Sequence, residues 1–320
     1  MTRLSIWLAL GCLAAALLSV AAGKIWVPLD AWGGGDPRAI IIAELRLPRT
    51  VLALGVGAAL GLTGAVMQGY LRNPLADPGL FGVSSGAALG AVLSLYFGYA
   101  AQAWLLPGFT LAGAAGTMAA LALIAGRSGS LILFTLAGLI LTSIAGSATA
   151  LAISLAPTPF VSAQIVTWLM GALTDRSWDD VRVALPLIGL GVAVLTTTAR
   201  SLDALTLGET AARSLGVDPR RLQLTVILGT ALTVGASVAA AGVIGFVGLI
   251  VPHLVRPLAG GKPSAVLLPS ALGGALLLTL ADSLVRLAPT VSELRLGIAM
   301  SMLGGPFFLW LLVSMRRRLA

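Results

Sequence analysis

Charged residues are scarce in this chain of 320: they make up 10% of it, where a soluble globule carries about a quarter. That scarcity excludes an ordinary soluble domain. Thiols are scarcer still. Cys12, inside the first apolar run, is the one cysteine, which rules out a disulfide framework and cysteine metal sites. His253 is the one histidine, so no multi-histidine metal site can be assembled, and neither metal nor cofactor is expected. Gly82-Val83-Ser84-Ser85-Gly86 spells G-x-S-x-G, but that elbow needs a preceding strand and histidine and acid partners. Small residues at a helix start explain it better, and no catalytic residue is expected. No G-x-x-x-x-G-K-[ST] occurs either, because Gly260-Gly261-Lys262-Pro263 fails the spacing. Without a phosphate-cradling loop, any ATP that energises this chain is hydrolysed on another subunit.

What the chain has instead is apolar length. Hydrophobic residues reach 58% and glycine 39 of 320, against a usual ~7% glycine, a composition suited to helices packed closely in lipid. Ten apolar segments lie at 5–27, 50–71, 81–99, 105–125, 131–155, 183–199, 222–241, 243–259, 265–285 and 296–315. Each approaches the ~20 residues that a crossing requires, the eighth being short and rich in glycine. No soluble insertion interrupts them, so residues 1–320 are expected to form a single all-α polytopic membrane domain of about ten transmembrane helices. The first segment carries a rival reading as a cleaved signal peptide, with Ala21-Ala22-Gly23 as the cleavage site. A retained span is favoured because the rest of the chain is itself membrane-embedded.

The net charge of +8 follows from topology rather than from a nucleic-acid partner. With the N-terminus inside, cytoplasmic connectors hold twelve Lys and Arg and outer connectors hold eight, the bias that sets orientation. Ten spans with both termini cytoplasmic is the self-consistent arrangement.

Four stretches invite a functional reading. From Arg46 to Gly90, two arginines three apart open an apolar helix in which Gly57, Gly61 and Gly64 let a neighbouring backbone approach. Asn73-Pro74 and Asp77-Pro78 then punctuate an elbow into the next helix. From Ser201 to Leu224, the most polar inner connector reads as two short helices broken at Gly216, with Leu207, Ala212 and Leu215 on an apolar side. A compact elbow with exposed Leu and Ala is a docking surface for a partner. From Ala241 to Gly260, His253 and Arg256 follow a run of glycines, and a lone histidine near a helix end is read as structural. Asp282 and Arg286, four apart, can face one another.

Taken together, RLPR at 46–49, Gln68, NPLADPG at 73–79, GVSSGAALGA at 82–91, LGETAARSLGV at 207–217, GFVGLIVPHLVR at 245–256 and GGPFFLWLL at 304–312 resemble the FecCD permease family. These are membrane subunits of type II ATP-binding-cassette importers for siderophore-bound iron, haem and cobalamin. The resemblance implies a permease fold of ten helices and pairing with a second copy, as a homodimer, in the bacterial inner membrane. It also implies two cytoplasmic ATP-binding subunits beneath the 201–221 loop and a periplasmic or lipid-anchored substrate-binding protein above. Leu207, Gly208, Glu209, Ala212, Arg213, Leu215 and Gly216 would then couple to the ATPase, with Glu209 and Arg213 bracing one helix face. By similarity, Arg46, Arg49 and Arg286 stand where family members meet acidic residues of the binding protein. Ser84, Ser85, Ser128 and Ser130 stand where the cytoplasmic gates lie. Two positions depart from the family pattern. Val243 replaces a proline before I-G-F, and Arg295 replaces the proline of an E-L-P stretch, adding a charge near the substrate entrance. Siderophore iron is the expected substrate, with haem or cobalamin as alternatives. An ion-coupled secondary transporter is the rival of another class, and it would want ionisable residues near mid-membrane.

Overall fold

The computed structural model describes residues 3–25, 27–28, 32, 38–99, 102, 104–125, 130–290 and 292–319, without the side chains of 315–319. Among these the chain is helical and has no strand. The helices are α1 (Arg3–Ala21), α2 (Leu47–Tyr70), α3 (Val83–Tyr96), α4 (Leu105–Ala125), α5 (Leu131–Ser154), α6 (Pro159–Leu169) and α7 (Trp178–Thr196). They continue with α8 (Ala199–Leu205), α9 (Glu209–Ser214), α10 (Pro219–Ala241), α11 (Val247–Val255), α12 (Pro263–Leu287) and α13 (Leu296–Leu319).

Eight of the ten expected spans are met by helices of crossing length, if α7 and α8 count as one span bent by 42°. The other two are shorter. The 81–99 segment gives only the 14-residue α3, and 243–259 gives the nine-residue α11 with a 3-10 turn after it. Their starts explain the shortening. Gly82 takes a left-handed φ of 82° before α3, and residues 242–246 run non-helical into Phe246 at φ 69°.

Packing is set by α2, the most enclosed helix. A side-chain carbon at Gly57 would fall 2.3 Å from the Gly274 carbonyl oxygen of α12, and one at Gly64 would fall 2.1 Å from that of Gly248 on α11. Only a hydrogen lets these backbones meet. The close approach expected at these glycines is therefore found, and it sandwiches α2 between α11 and α12. Gly86, Gly90 and Gly113 join α3 to α4 in the same way.

α1 lies parallel to α12. Cys12 donates to the Leu272 carbonyl at 3.1 Å, and Ser19 shares a 2.7 Å hydroxyl bond with Thr50 of α2. One face of the first segment is thus packed against α12 and α2. The short α8 and α9 lie at one end, called here the coupling end. α2 and α7 run toward it, α10 and α12 run away from it, and residues 22–25, 38–46, 170–177 and 292–295 lie at the far end.

Candidate functional site

At the coupling end, α8 and α9 form the expected two-helix elbow. Gly208 (φ 96°) and Gly216 (φ 86°) bracket α9 with left-handed backbone that β-carbons disfavour. Ala212 is buried beneath it, while Leu207 and Leu215 are 66% and 64% exposed. Both leucines border a groove of about 940 Å³ whose charged walls include Arg200, Arg221 and Lys262. The bracing pair differs from expectation. Glu209 pairs at 3.5 Å with Arg72, from the connector after α2, and not with Arg213. That pair ties the elbow to the connector after α2 instead of stiffening α9 alone.

A second tie was not read from the sequence. Lys262 and Pro263 open α12 without a side-chain cap of their own. Asp203 of α8 supplies it: Oδ1 accepts from the Ser264 amide at 2.9 Å and Oδ2 from the Ser264 hydroxyl at 2.6 Å. A carboxylate on the positive end of a helix is favourable. Here it comes from another helix.

Ser84 and Ser85 stand half-buried in the first turn of α3, at the coupling end. Ser130 caps α5, accepting from the Leu133 amide at 3.3 Å. Ser128 lies outside the described residues.

The far end corrects one expectation. Arg46, Arg49 and Arg286 are not exposed points of charge; they are only 6%, 8% and 7% exposed. Arg46 donates to the carbonyls of Val20 and Ala21 at 3.0 and 2.8 Å, where α1 ends. Arg49 grips Asp282 of α12 through Nε and Nη2 at 3.0 and 2.8 Å and also pairs with Glu293. Arg286 lies 3.2 Å from the same Asp282 and donates to Ser19. Two guanidiniums thus face two carboxylates in a buried quartet, and the Asp282–Arg286 pairing read from their spacing is present. Burial of the charges follows from their mutual neutralisation. Arg49, Arg286 and Glu293 of the quartet, with Arg46, still line a cavity of about 260 Å³ together with Lys24 and Arg176.

Arg295 does not pair with Glu293, which Arg49 takes; among the described residues it has no ion pair. It lines a different far-end cavity, of about 370 Å³. The backbone around that cavity is knitted where the connector after α6 meets the end of α10 and the start of α13: Ala172 donates to Ala241 at 2.8 Å and Gly297 to Gly171 at 3.2 Å. Val243, the other departure, sits in this knot, its carbonyl close against Gly171 and Gly297. His253 packs edge-on against Phe307, ring centres 5.9 Å apart.

Helices crossing from end to end, a partner-ready elbow at one end and a charged vestibule at the other define a multi-pass membrane transport subunit. The family is shown directly: the chain belongs to the FecCD transport family, whose model matches residues 10–314. It is 37% identical over 318 residues to the Fe(3+) dicitrate transport system permease protein FecD of Escherichia coli (strain K12), covering 98% of this chain and 99% of that protein. It is 39% identical to the hemin transport system permease protein HmuU of Yersinia pestis, over 86% of this chain and 84% of that protein. The vitamin B12 import system permease protein BtuC of Salmonella paratyphi A is also 39% identical, over 97% and 94%. Among solved structures, an ABC transporter described as of metal-chelate type, in an inward-facing conformation, superposes with a TM-score of 0.90 at 32% identity, covering 98% of this chain and all of the other.

Proposed function

We propose that this chain is the permease subunit of an ATP-driven importer that carries an iron–siderophore complex across the bacterial inner membrane. It works as one of two identical copies, with both termini cytoplasmic. Two separate ATP-binding subunits dock at the coupling end, and a substrate-binding protein delivers cargo at the far end. The observation that carries this reading is the elbow of α8 and α9. Two exposed leucines flanking the glycine-bracketed α9 form a docking knob, and Asp203 and Glu209 fasten that knob to α12 and to the connector after α2.

Docking of the binding protein through Arg46, Arg49 and Arg286 takes a modified form. The charges lie below the surface, so an incoming carboxylate enters their cavity and competes with Glu293, the less buried acid of the quartet. Ser84 and Ser85, on the coupling-end rim of α3, border the gate, and Ser130 flanks it at the start of α5; the family resemblance assigns Ser128 to the same gate.

Haem or cobalamin is the alternative cargo, since relatives of similar identity are named for each. An ion-coupled mechanism is less well supported. It needs a buried carboxylate free to gain and lose a cation or proton, and the fully buried Asp282 is held by two guanidiniums.

The test is co-expression with the candidate ATPase. A complex should co-purify, and uptake of ferric siderophore in proteoliposomes bearing the binding protein should stop with vanadate. Uptake that persists without ATP and follows an ion gradient would overturn the reading.

A further inference from the structure

The far-end cavity of about 370 Å³ beside Arg295 has a lining with one chemical bias. It is formed by Phe160, Gln164, Thr167 and Trp168 of α6, by Arg176, and by Arg295 just before α13. Its lining contains two guanidiniums and no carboxylate. Trp168 and Arg176, both in its wall, each carry a buried donor without a hydrogen-bond partner, the indole Nε1 and the guanidinium Nε. Arg176 reaches Asp180 only at 3.6 Å, through Nη1. Buried polar atoms are nearly always satisfied, so unpaired donors on two residues of one cavity wall favour an acceptor close by. Non-helical backbone within a membrane protein is tolerated where it lines such a cavity, and segments 170–176, 241–246 and 293–297 meet here.

We propose that this cavity is a binding site for a polycarboxylate ferric chelate, and that Arg295 and Arg176 make the transporter selective for anionic cargo. The inference rests on the permease reading and deepens it by naming the cargo's class. Guanidinium forks match carboxylates bidentately, while the indole N–H and the Thr167 hydroxyl satisfy further oxygens. The rings of Phe160 and Trp168 offer apolar faces to the organic scaffold. The volume lies at the small end of ligand pockets, roughly 300–1,000 Å³, which suits a compact carboxylate chelate better than a macrocycle. The site lies at the far end of α10 from the coupling elbow, a 23-residue helix and so about 35 Å away.

The test uses the full-length protein in nanodiscs, with ferric citrate as the anionic probe and an uncharged ferric trihydroxamate as the control. Binding is read by quenching of Trp168 fluorescence, with Trp168→Phe identifying that signal. Ferric citrate should bind at least tenfold more tightly than the control and weaken as salt rises. Arg295→Gln should lose about tenfold for citrate, the scale of one charged hydrogen bond, and nothing for the control, while Arg295→Lys recovers part of the loss. Equal affinity for the two chelates, or wild-type citrate binding in Arg295→Gln, overturns the proposal. Should that variant fold poorly, the wild-type salt dependence decides, a flat profile counting against the site. If Arg295→Gln slows docking of the binding protein but leaves citrate binding intact, the cavity serves docking and the proposal fails. Vanadate-sensitive uptake with no charge preference would defeat this inference and leave the permease reading standing. Absence of ATP-dependent uptake for every chelate would defeat the permease reading by itself.

Discussion

Replacing Asp282 with leucine should damage the far-end quartet out of proportion to one residue. In the native arrangement Arg49 and Arg286 balance Asp282 and Glu293, and Asp282 is fully buried with both guanidiniums within 3.2 Å. Asp282→Leu leaves two buried cations against one acid. Stranding a buried charge in this way costs about 3–5 kcal/mol, which is roughly a hundred- to several-thousand-fold in an equilibrium at 1.4 kcal/mol per factor of ten. Arg49→Met with Asp282→Leu removes one charge of each sign and leaves Arg286 to face Glu293. That double variant should be markedly more stable than Asp282→Leu alone, because replacing a buried pair by apolar groups is often close to neutral. The assay is the loss of monodisperse protein on heating in detergent, followed by size exclusion, with unfolding in denaturing detergent as the second measure. If Asp282→Leu matches wild type within experimental error, or if the double variant is worse than the sum of the singles, the quartet is not a mutually neutralised unit and the reasoning fails.

Other outcomes follow from the same geometry. Gly64→Ala puts a carbon 2.1 Å from the Gly248 carbonyl oxygen and should cost about 1–3 kcal/mol by overpacking, visible as lower thermal stability in detergent; an unchanged midpoint would show that α2 and α11 separate freely. Gly216→Pro cannot keep φ at 86°, so ATP hydrolysis should uncouple from uptake while the helices remain inserted, and normal uptake would remove the elbow from the mechanism. Asp203→Ala deprives α12 of its borrowed cap, worth about 0.5–2 kcal/mol, and should lower uptake per ATP hydrolysed more than it lowers stability. Cysteines at 84 and 85 should crosslink between copies in one nucleotide state, and crosslinking indifferent to nucleotide would place them away from a moving gate.

Much of the helical frame was legible in the sequence because a crossing helix must be long and apolar along its whole length. Gly57, Gly61 and Gly64 also announced their close contacts, since three- and four-residue spacing puts them on one face. α6 escaped notice although its start carries a readable signal, Thr158 capping the Val161 amide at 3.2 Å with Pro159 in the first turn. Its 11 residues are too few for a crossing, so apolar length alone does not reveal it. The arginines were misplaced for a different reason. Spacing along a chain reveals neighbours on one helix, but Asp282 and Glu293 come to Arg49 from 233 and 244 residues away. The same limit hid Asp203 from Ser264 and Arg72 from Glu209. Long-range pairing decides whether a charge is a surface handle or an internal rivet, and local pattern is silent about it.

The two clamps on α12 have a joint consequence. Its first turn is tied to α8 through Asp203, and its last two turns to α1 and α2 through Arg286, Arg49 and Asp282. The whole helix runs 25 residues, about 37 Å at helical rise, interrupted by Pro269 about one turn beyond the Asp203 clamp. A helix resists stretching far more than bending, and a proline inside it removes one backbone bond and places the soft point. A sideways push delivered to the elbow is then spent as a tilt about Pro269, while a push along the axis arrives at the arginines undiminished. The direction in which the elbow moves, more than the distance, selects whether the vestibule feels it: α12 acts as a tie rod with a universal joint at its foot.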